Sequence, residues 1–316
     1  MADVSASAAD KPAPGRAARK EAALDPARAL GPSPMARFFR RARGHTSVSI
    51  GGGILLAILL MAVLAPVIAP YDPYAQDLFN RLKPPFWMDG SVPGHWLGTD
   101  NLGRDYLSRI IYGAQISLLI GVCTALLSGI IGSALGVTAG YFGGRVDTVI
   151  TFIITTRLSM PIVLVALAIV ALVGGSLEAV VLVLGFLLWD RYAVVMRSAT
   201  QQARSMDYVA AARAIGCPTW RIVLSEIMPN VVNNLIVIAT FEVAHAILLE
   251  AALSFLGLGV QPPAPSWGLM IAEGKEFLLF DPWVIAIPGI ALSLLVLAVN
   301  MLGDGIRDVS APENRS

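Results

Sequence analysis

The chain is a series of long apolar runs separated by short polar stretches, and the runs lack the interruptions that a half-buried soluble helix requires. The first run covers residues 48–69 and ends at Pro70 and Pro73. A polar segment, 71–105, follows, with Pro84, Pro85 and Pro93 and the interfacial aromatics Phe86, Trp87 and Trp96. The second run, 110–139, is long enough to tilt or to protrude from the hydrocarbon layer. Gly140-Tyr141-Phe142-Gly143-Gly144 turns the chain into a third run, 146–172, in which Pro161 predicts a kink. Gly174-Gly175 makes a tight turn into the fourth, 177–196, whose polar end is marked by Asp190 and Arg191. Residues 197–229 are polar and helix-favouring, and Gly216 and Pro218 divide them into one or two short surface helices. The fifth run, 231–249, carries Glu242 and His245, and Glu250 closes it. A loop or re-entrant segment, 251–282, precedes the sixth run, 283–302, which Gly303-Asp304-Gly305 ends.

Runs of this length predict six membrane-spanning helices, with both termini on one side. Charge decides which side. Of 23 Lys and Arg residues, only Arg81, Lys83, Arg104, Arg109 and Lys275 fall in the segments that an inward N-terminus places outside, and Arg157 falls within a span. The positive-inside rule therefore predicts cytoplasmic N- and C-termini and a cytoplasmic 197–229 loop. The expected divisions are a disordered tail at 1–45, a first helix at 46–70, an external segment at 71–105, a membrane core at 106–305 and a closing tail at 306–316. The opening is rich in Ala, Pro and Arg. Arg37, Arg40, Arg41 and Arg43 precede the first run, and no small-residue cleavage site follows it, so that run is read as an uncleaved span.

Composition supports this class: 56% of residues are hydrophobic and 14% charged, where soluble domains carry about 25% charge. A net charge of +1 gives no general attraction for nucleic acid. Cys123 and Cys217 lie in separate segments without metal-ligand spacing, and the three histidines, His45, His95 and His245, form no cluster with carboxylates that suggests an enzyme. Neither a phosphate-binding glycine loop nor a zinc or nucleophile-elbow motif is present, so any active transport draws its energy from a partner or a gradient. The scarcity of carboxylates in the runs disfavours a proton-coupled carrier. Glu242 and His245, three residues apart, share one helix face; they serve either polar packing between helices or the lining of a path. Glu250 and Glu273 are expected at interfacial loop positions. The alanines of 210–214 permit close approach of another protein, although a plain connecting helix would carry the same composition.

Several motifs resemble those of bacterial ABC import permeases. Asp207-Tyr208-Val209-Ala210-Ala211-Ala212-Arg213-Ala214-Ile215-Gly216, followed by Ile227-Met228-Pro229-Asn230, is similar to their coupling loop. His95-Trp96-Leu97-Gly98-Thr99-Asp100-Asn101-Leu102-Gly103-Arg104-Asp105 and Gly140-Tyr141-Phe142-Gly143-Gly144-Arg145-Val146-Asp147 resemble the dipeptide/oligopeptide/nickel permease family. So do Glu250-Ala251-Ala252-Leu253-Ser254-Phe255-Leu256-Gly257-Leu258-Gly259, Pro265-Ser266-Trp267-Gly268 and the ending around Asn300-Met301-Leu302-Gly303-Asp304. The short segment after the first span resembles the "C" permease of the pair. Several family positions differ: Ala210 stands where the coupling motif opens with glutamate, Ser225-Glu226 where a basic residue and histidine precede the proline, Val194 where an arginine stands near the end of the fourth span, and Thr155 and Phe152 at acid and arginine positions of the third.

The resemblance implies an all-α membrane protein with the type I importer permease fold, six transmembrane helices and a cytoplasmic coupling helix in the bacterial inner membrane. It implies a homologous second permease, two cytoplasmic ATPases holding ATP and Mg²⁺, and a periplasmic solute-binding protein, with no cofactor or metal and no catalysis in this chain. By the same resemblance, Asp207, Ala210, Ala211, Ala212, Arg213, Gly216 and Pro229 couple to the ATPase. Read from the residues themselves, Glu242, His245, Ser254, Gly257 and Gly259 are candidates for the path or its gate, with a rigid surface connection as the alternative for the last three. Asp100, Arg104 and Asp105 are candidates for contact with the periplasmic partner or cargo, with a folded, salt-bridged external loop as the alternative. The implied cargo is a di- or oligopeptide, with nickel, glutathione or another small solute as alternatives within the same machine. A non-transporting membrane scaffold is the alternative of another class.

Overall fold

A computed structural model describes residues 45–310. The tail expected at 1–45 therefore lies, but for its last residue, outside the described residues, as does the end of the closing tail beyond 310. Twelve α-helices are numbered here: α1 Thr46–Val63, α2 Ala65–Ile68, α3 Tyr106–Phe142, α4 Gly144–Leu158, α5 Ile162–Val173, α6 Leu177–Leu187, α7 Trp189–Arg204, α8 Asp207–Ala214, α9 Thr219–Arg221, α10 Met228–Phe255, α11 Trp267–Gly274 and α12 Trp283–Ser310. Five continuous stretches are long and apolar enough to cross a membrane. A sixth follows if α4 and α5 form one broken span; they meet at 85° across Pro161, a sharp break where the sequence predicted a kink.

The long α3 organises the bundle. Its 37 residues measure about 55 Å, well beyond a hydrocarbon layer of about 30 Å. It packs most extensively on α7, and the reason is a column of small residues. A Cβ at Gly132 would lie 2.2 Å from the Trp189 carbonyl oxygen, one at Gly136 2.5 Å from that of Ala193, and one at Gly140 2.6 Å from that of Arg197. Glycine at every fourth position lets the two backbones touch, a mode suited to lipid, where apolar side chains gain little from leaving the solvent. A bidentate pair supplements it: Arg197 donates from Nε to Asp147 Oδ1 at 2.5 Å and from Nη2 to Oδ2 at 2.7 Å, fixing α4 to α7.

Irregular backbone is satisfied from inside the protein, as a bilayer demands. Pro288 lies within α12 and cannot donate to the carbonyl of Val284; the Tyr106 hydroxyl donates to that oxygen instead. The break at Leu188 between α6 and α7 leaves the Leu187 carbonyl, which Arg157 Nη2 reaches at 2.6 Å. Before Pro229 the chain widens into a π-helical turn, Ile222–Ile227, and Asn230 Nδ2 donates to the Glu226 carbonyl at 2.6 Å.

Four boundaries differ from expectation. The fourth span continues to Arg204, so Asp190 and Arg191 sit at its middle. The fifth begins at Thr219 and ends at Phe255, which places Glu250 inside a helix. The expected 251–282 loop contains α11, and α12 carries the chain helically through 306–310. In each case the helix outlasts the apolar run, because ends that leave the bilayer or meet protein tolerate polar residues.

Candidate functional site

The candidate residues gather at three levels along the bundle. At one end, α8 lies across the tips of α3, α7 and α10. Val209 and Ala212 are buried against Val137, Tyr141, Ala203 and Ile222, and the Arg213 guanidinium stands 5.1 Å from the Tyr141 ring centre. Asp207, Ala210, Ala211 and Ala214 face outward. Around them Ile215 is 80% exposed and Trp220 66%, a concentration of apolar surface on a small helix. Gly216 stops α8. Its φ is +81°, its N–H donates to the Arg213 carbonyl, and the N–H of Cys217 donates to that of Ala212. This is a Schellman close, which needs a left-handed residue. Pro229 is exposed at the start of α10.

The middle level is ionic. Glu242 is fully buried on α10 and holds two partners: Arg191 Nη1 of α7 lies 3.4 Å from Oε1, and His245 Nδ1 lies 3.2 Å from Oε2. The expected Glu242–His245 pair is present, and sequence reasoning missed its third member. Arg191 is placed at the polar end of a span by its local pattern, whereas the structure puts it midway along Leu177–Arg204. Its side chain is 53% exposed on the isolated chain. A cation at the bilayer centre costs about 2.5–3.5 kcal/mol in lipid, so this face meets water or another protein. Two clefts flank α10 on the α8 side of this cluster. One, of about 500 Å³, is apolar and walled by Ile130, Ala134, Tyr192, Leu235 and Ala239. The other, of about 480 Å³, is mixed, with Asn230, Asn233, Asn234 and Arg307 in its wall beside Val195, Val237, Ile238 and Phe241.

The far end holds the 71–105 segment and the chain between α10 and α11. Asp100, Arg104 and Asp105 are each 2% exposed. Arg104 Nε donates to Asp100 Oδ2 at 2.6 Å, and Arg109 Nη1 donates to the same oxygen at 2.5 Å and to Glu273 Oε2 at 2.8 Å. Asp105 caps α3 by accepting from the Ser108 N–H at 2.8 Å and meets His95 Nδ1 at 2.8 Å. Asp100, Arg104 and Asp105 are thus all engaged within the chain, in the manner of a folded, salt-bridged segment. Exposed Phe86, Trp87 and Trp96 form the outer side of the segment instead.

Glu250 and Glu273 are corrected by the structure. Glu250 is 1% exposed and accepts from the Ser254 hydroxyl at 2.8 Å and the Ser266 hydroxyl at 3.0 Å, joining α10 to α11. Ser254 is therefore a buried strut. Gly257 closes α10 at φ +84° with the same Schellman bonds that end α8, and a Cβ on Gly259 would fall 1.9 Å from Ser254 Oγ. Available signals existed for both boundaries: the Asp105 cap places Arg109 in a helix, and no helix stop precedes Gly257.

Together these features define a polytopic membrane protein, built of closely packed helices with an accessory helix at one end; no metal-binding group occurs among the described residues. Residues 132–316 match the family described as binding-protein-dependent transport system inner membrane component, and residues 33–85 match the N-terminal transmembrane domain of oligopeptide transport permease C. The chain belongs to this family of inner-membrane permease subunits, as the resemblance of its motifs implied. It is 41% identical over 283 residues to a di/tripeptide transport system permease protein, DppC, of Pseudomonas aeruginosa, covering 89% of this chain and 93% of that one. To a dipeptide transport system permease protein of Haemophilus influenzae it is 37% identical, over 89% of this chain and 95% of the relative. A glutathione transport system permease protein of Pectobacterium atrosepticum is 36% identical, over 90% and 93%. The fold matches a chain of the methionine ABC transporter MetNI in an inward-facing conformation, with TM-score 0.54, 18% identity, and 65% of this chain and 98% of that chain covered.

Proposed function

We propose that this chain is one of two homologous permease subunits of an ATP-driven importer that carries di- or oligopeptides from the periplasm to the cytoplasm. The observation that carries the reading is α8: a short helix seated on the end of the bundle, with Ala210 and Ala211 outward and Ile215 and Trp220 exposed beside them. Such a surface suits insertion into a cleft of a cytoplasmic ATPase. Asp207, Ala212, Arg213, Gly216 and Pro229 hold its shape or flank it. Ala210 removes a charge from the contact, so its fit depends on shape.

The bundle has six spans in this reading, counting α4 and α5 together, and both termini are cytoplasmic. Arg145, Arg204, Arg213 and Arg221 gather on the α8 side, in accord with the positive-inside rule. The 71–105 segment and the 256–266 connection then face the periplasm, where a solute-binding protein delivers cargo. A second permease covers the face bearing Arg191, and the path runs between the two subunits past Glu242 and His245. ATP and Mg²⁺ belong to two ATPase partners, and this chain contributes movement without breaking bonds. Ser254, Gly257 and Gly259 act at the outer gate as the rigid corner from which the 256–266 connection swings.

The test is reconstitution of the permease pair with its ATPases and binding protein in liposomes. ATP-dependent uptake of labelled dialanine and trialanine is expected. Nickel uptake with no peptide uptake or competition refutes the cargo. ATPase binding with no uptake of any solute points to a scaffold.

A further inference from the structure

The mid-bundle ionic cluster and the mixed cleft share a register. On α10, Ile238 and Phe241 line the cleft, and each lies four residues before a member of the cluster, Glu242 and His245 respectively. On α7, Val195 lines the cleft, and Arg191 lies four residues before it. Residues four apart stack on one helix face, so the cluster stands directly above the cleft on both walls. Below it come Asn234, Asn233 and Asn230, and Arg307 enters from α12. A polar stripe, interrupted by Val195, Val237, Ile238 and Phe241, thus descends from the middle of the bundle toward the α8 end, beside an otherwise apolar cleft on the other flank of α10.

The order of groups along this stripe is chemically specific: carboxylate, amides, guanidinium. From Glu242 to Asn234 is about 12 Å, and to Asn230 about 18 Å, at helical rise. An extended chain of three to five residues spans about 10–18 Å. Its ends are an ammonium and a carboxylate, and between them lie amide groups that every peptide shares. The Arg191 contact with Glu242 is long, at 3.4 Å, and the Arg191 side chain is half exposed; an arriving ammonium can displace it without unpacking a helix.

We propose that this stripe is a terminus-reading subsite for short peptides within the path. Glu242 receives the cargo ammonium as Arg191 swings aside, and His245 holds the carboxylate in place. The side-chain amide of Asn234, and for the longer peptides that of Asn230, bonds the peptide backbone, and Arg307 reaches up on its long side chain to take the terminal carboxylate. Side chains of the cargo meet the apolar Val195, Val237, Ile238 and Phe241, which fits a carrier indifferent to sequence. The inference rests on the peptide-importer reading and adds to it which residues recognise the peptide and by which groups.

The test uses the assembled complex without binding protein, so that selection by that partner does not intervene. In a background carrying Cys123→Ser and Cys217→Ser, Ile238→Cys reports occupancy through its rate of modification by a small thiol reagent. Trialanine at millimolar concentration is expected to slow modification about fivefold. N-acetyl-trialanine amide, which lacks both charged ends, leaves the rate within about 1.5-fold. Adding Glu242→Gln or, separately, the exposed Arg307→Gln abolishes protection by trialanine. Equal protection by free and blocked peptide overturns the proposal, as does protection that survives both substitutions, or none by either peptide. If Glu242→Gln fails to assemble, the Arg307→Gln result decides. ATP-dependent trialanine uptake is measured on the wild-type complex in parallel. Uptake without protection removes the subsite and leaves the importer reading standing, whereas an active ATPase without uptake removes both.

Discussion

Arg109 is the residue whose role is furthest from its sequence neighbourhood. It is fully buried and joins Asp100, nine positions before it, to Glu273, 164 positions after it. In the sequence it is only one of the charges expected outside, just ahead of the apolar run 110–139. Nothing in a linear sequence records that two carboxylates converge on it. Breaking a buried pair by removing one partner costs about 3–5 kcal/mol, since the remaining charges stay desolvated. Arg109→Leu is therefore expected to lower the thermal midpoint of the detergent-solubilised permease by several degrees. Adding Glu273→Gln to it should restore part of the loss, because Asp100 then remains balanced by Arg104 and the surplus carboxylate is gone. A double variant less stable than Arg109→Leu alone would mean that the network contributes hydrogen bonds rather than charge compensation. Glu242 and His245, by contrast, were legible as a pair from their spacing. Arg191 was not, because its importance comes from the helix continuing past it.

At the scale of elements, the spans were legible wherever lipid dictates composition, and their ends were not. The six apolar runs correspond to α1, α3, the α4–α5 pair, α6 with α7, α10 and α12. Lengths fell short by up to a turn or more where helices leave the apolar layer or meet protein. The turns, by contrast, were announced by their residues. Gly216 has open space around it, so its requirement is conformational: φ of +81° costs a β-carbon-bearing residue about 1–2 kcal/mol. Gly216→Val is expected to tilt α8 or fray its last turn, cutting peptide-stimulated ATP hydrolysis of the complex several-fold while leaving basal hydrolysis by the ATPases intact. Gly216→Asn should keep at least half of the stimulation, because asparagine tolerates the left-handed region. Equal stimulation by Val and glycine would show that the α8 terminus does not set coupling. Close approach makes a different demand at Gly136. A side chain there meets the Ala193 carbonyl at 2.5 Å, so Gly136→Leu must part α3 from α7. The expected result is loss of assembled complex in membranes, read by size-exclusion chromatography, with Gly53→Leu, which meets nothing within 4 Å, as the control.

Across the whole molecule, the two ends differ in kind, and the proposed direction of transport follows from that difference. One end is closed by interlocked polar contacts: Tyr71 N–H on Ser108 Oγ at 3.1 Å, Thr99 N–H on the Lys83 carbonyl at 3.0 Å, and the Asp100–Arg109–Glu273 bridge behind them. The other presents α8, with Ile215 and Trp220 exposed and arginines around them. A rigid outer face against which a delivering protein docks, and an apolar projection that a moving ATPase can grip, suit the two duties of an importer subunit. The orientation is open to direct measurement. In the background lacking Cys123 and Cys217, Gln261→Cys lies on an exposed stretch of the 256–266 connection, and Ile215→Cys on the exposed tip of α8. Ser266, although nearby, is fully buried with its hydroxyl on Glu250, so a cysteine there would stay silent for reasons unrelated to sidedness. A membrane-impermeant maleimide reaching the periplasm is expected to label Gln261→Cys in cells with an intact inner membrane, and Ile215→Cys only after that membrane is opened. Co-expression of the ATPases should then slow labelling of Ile215→Cys in opened membranes about tenfold while leaving Gln261→Cys unchanged, because only α8 is covered. The reverse pattern of labelling would invert the molecule, placing α8 where no ATPase is found and the 71–105 segment in the cytoplasm, and the import reading would fall with it.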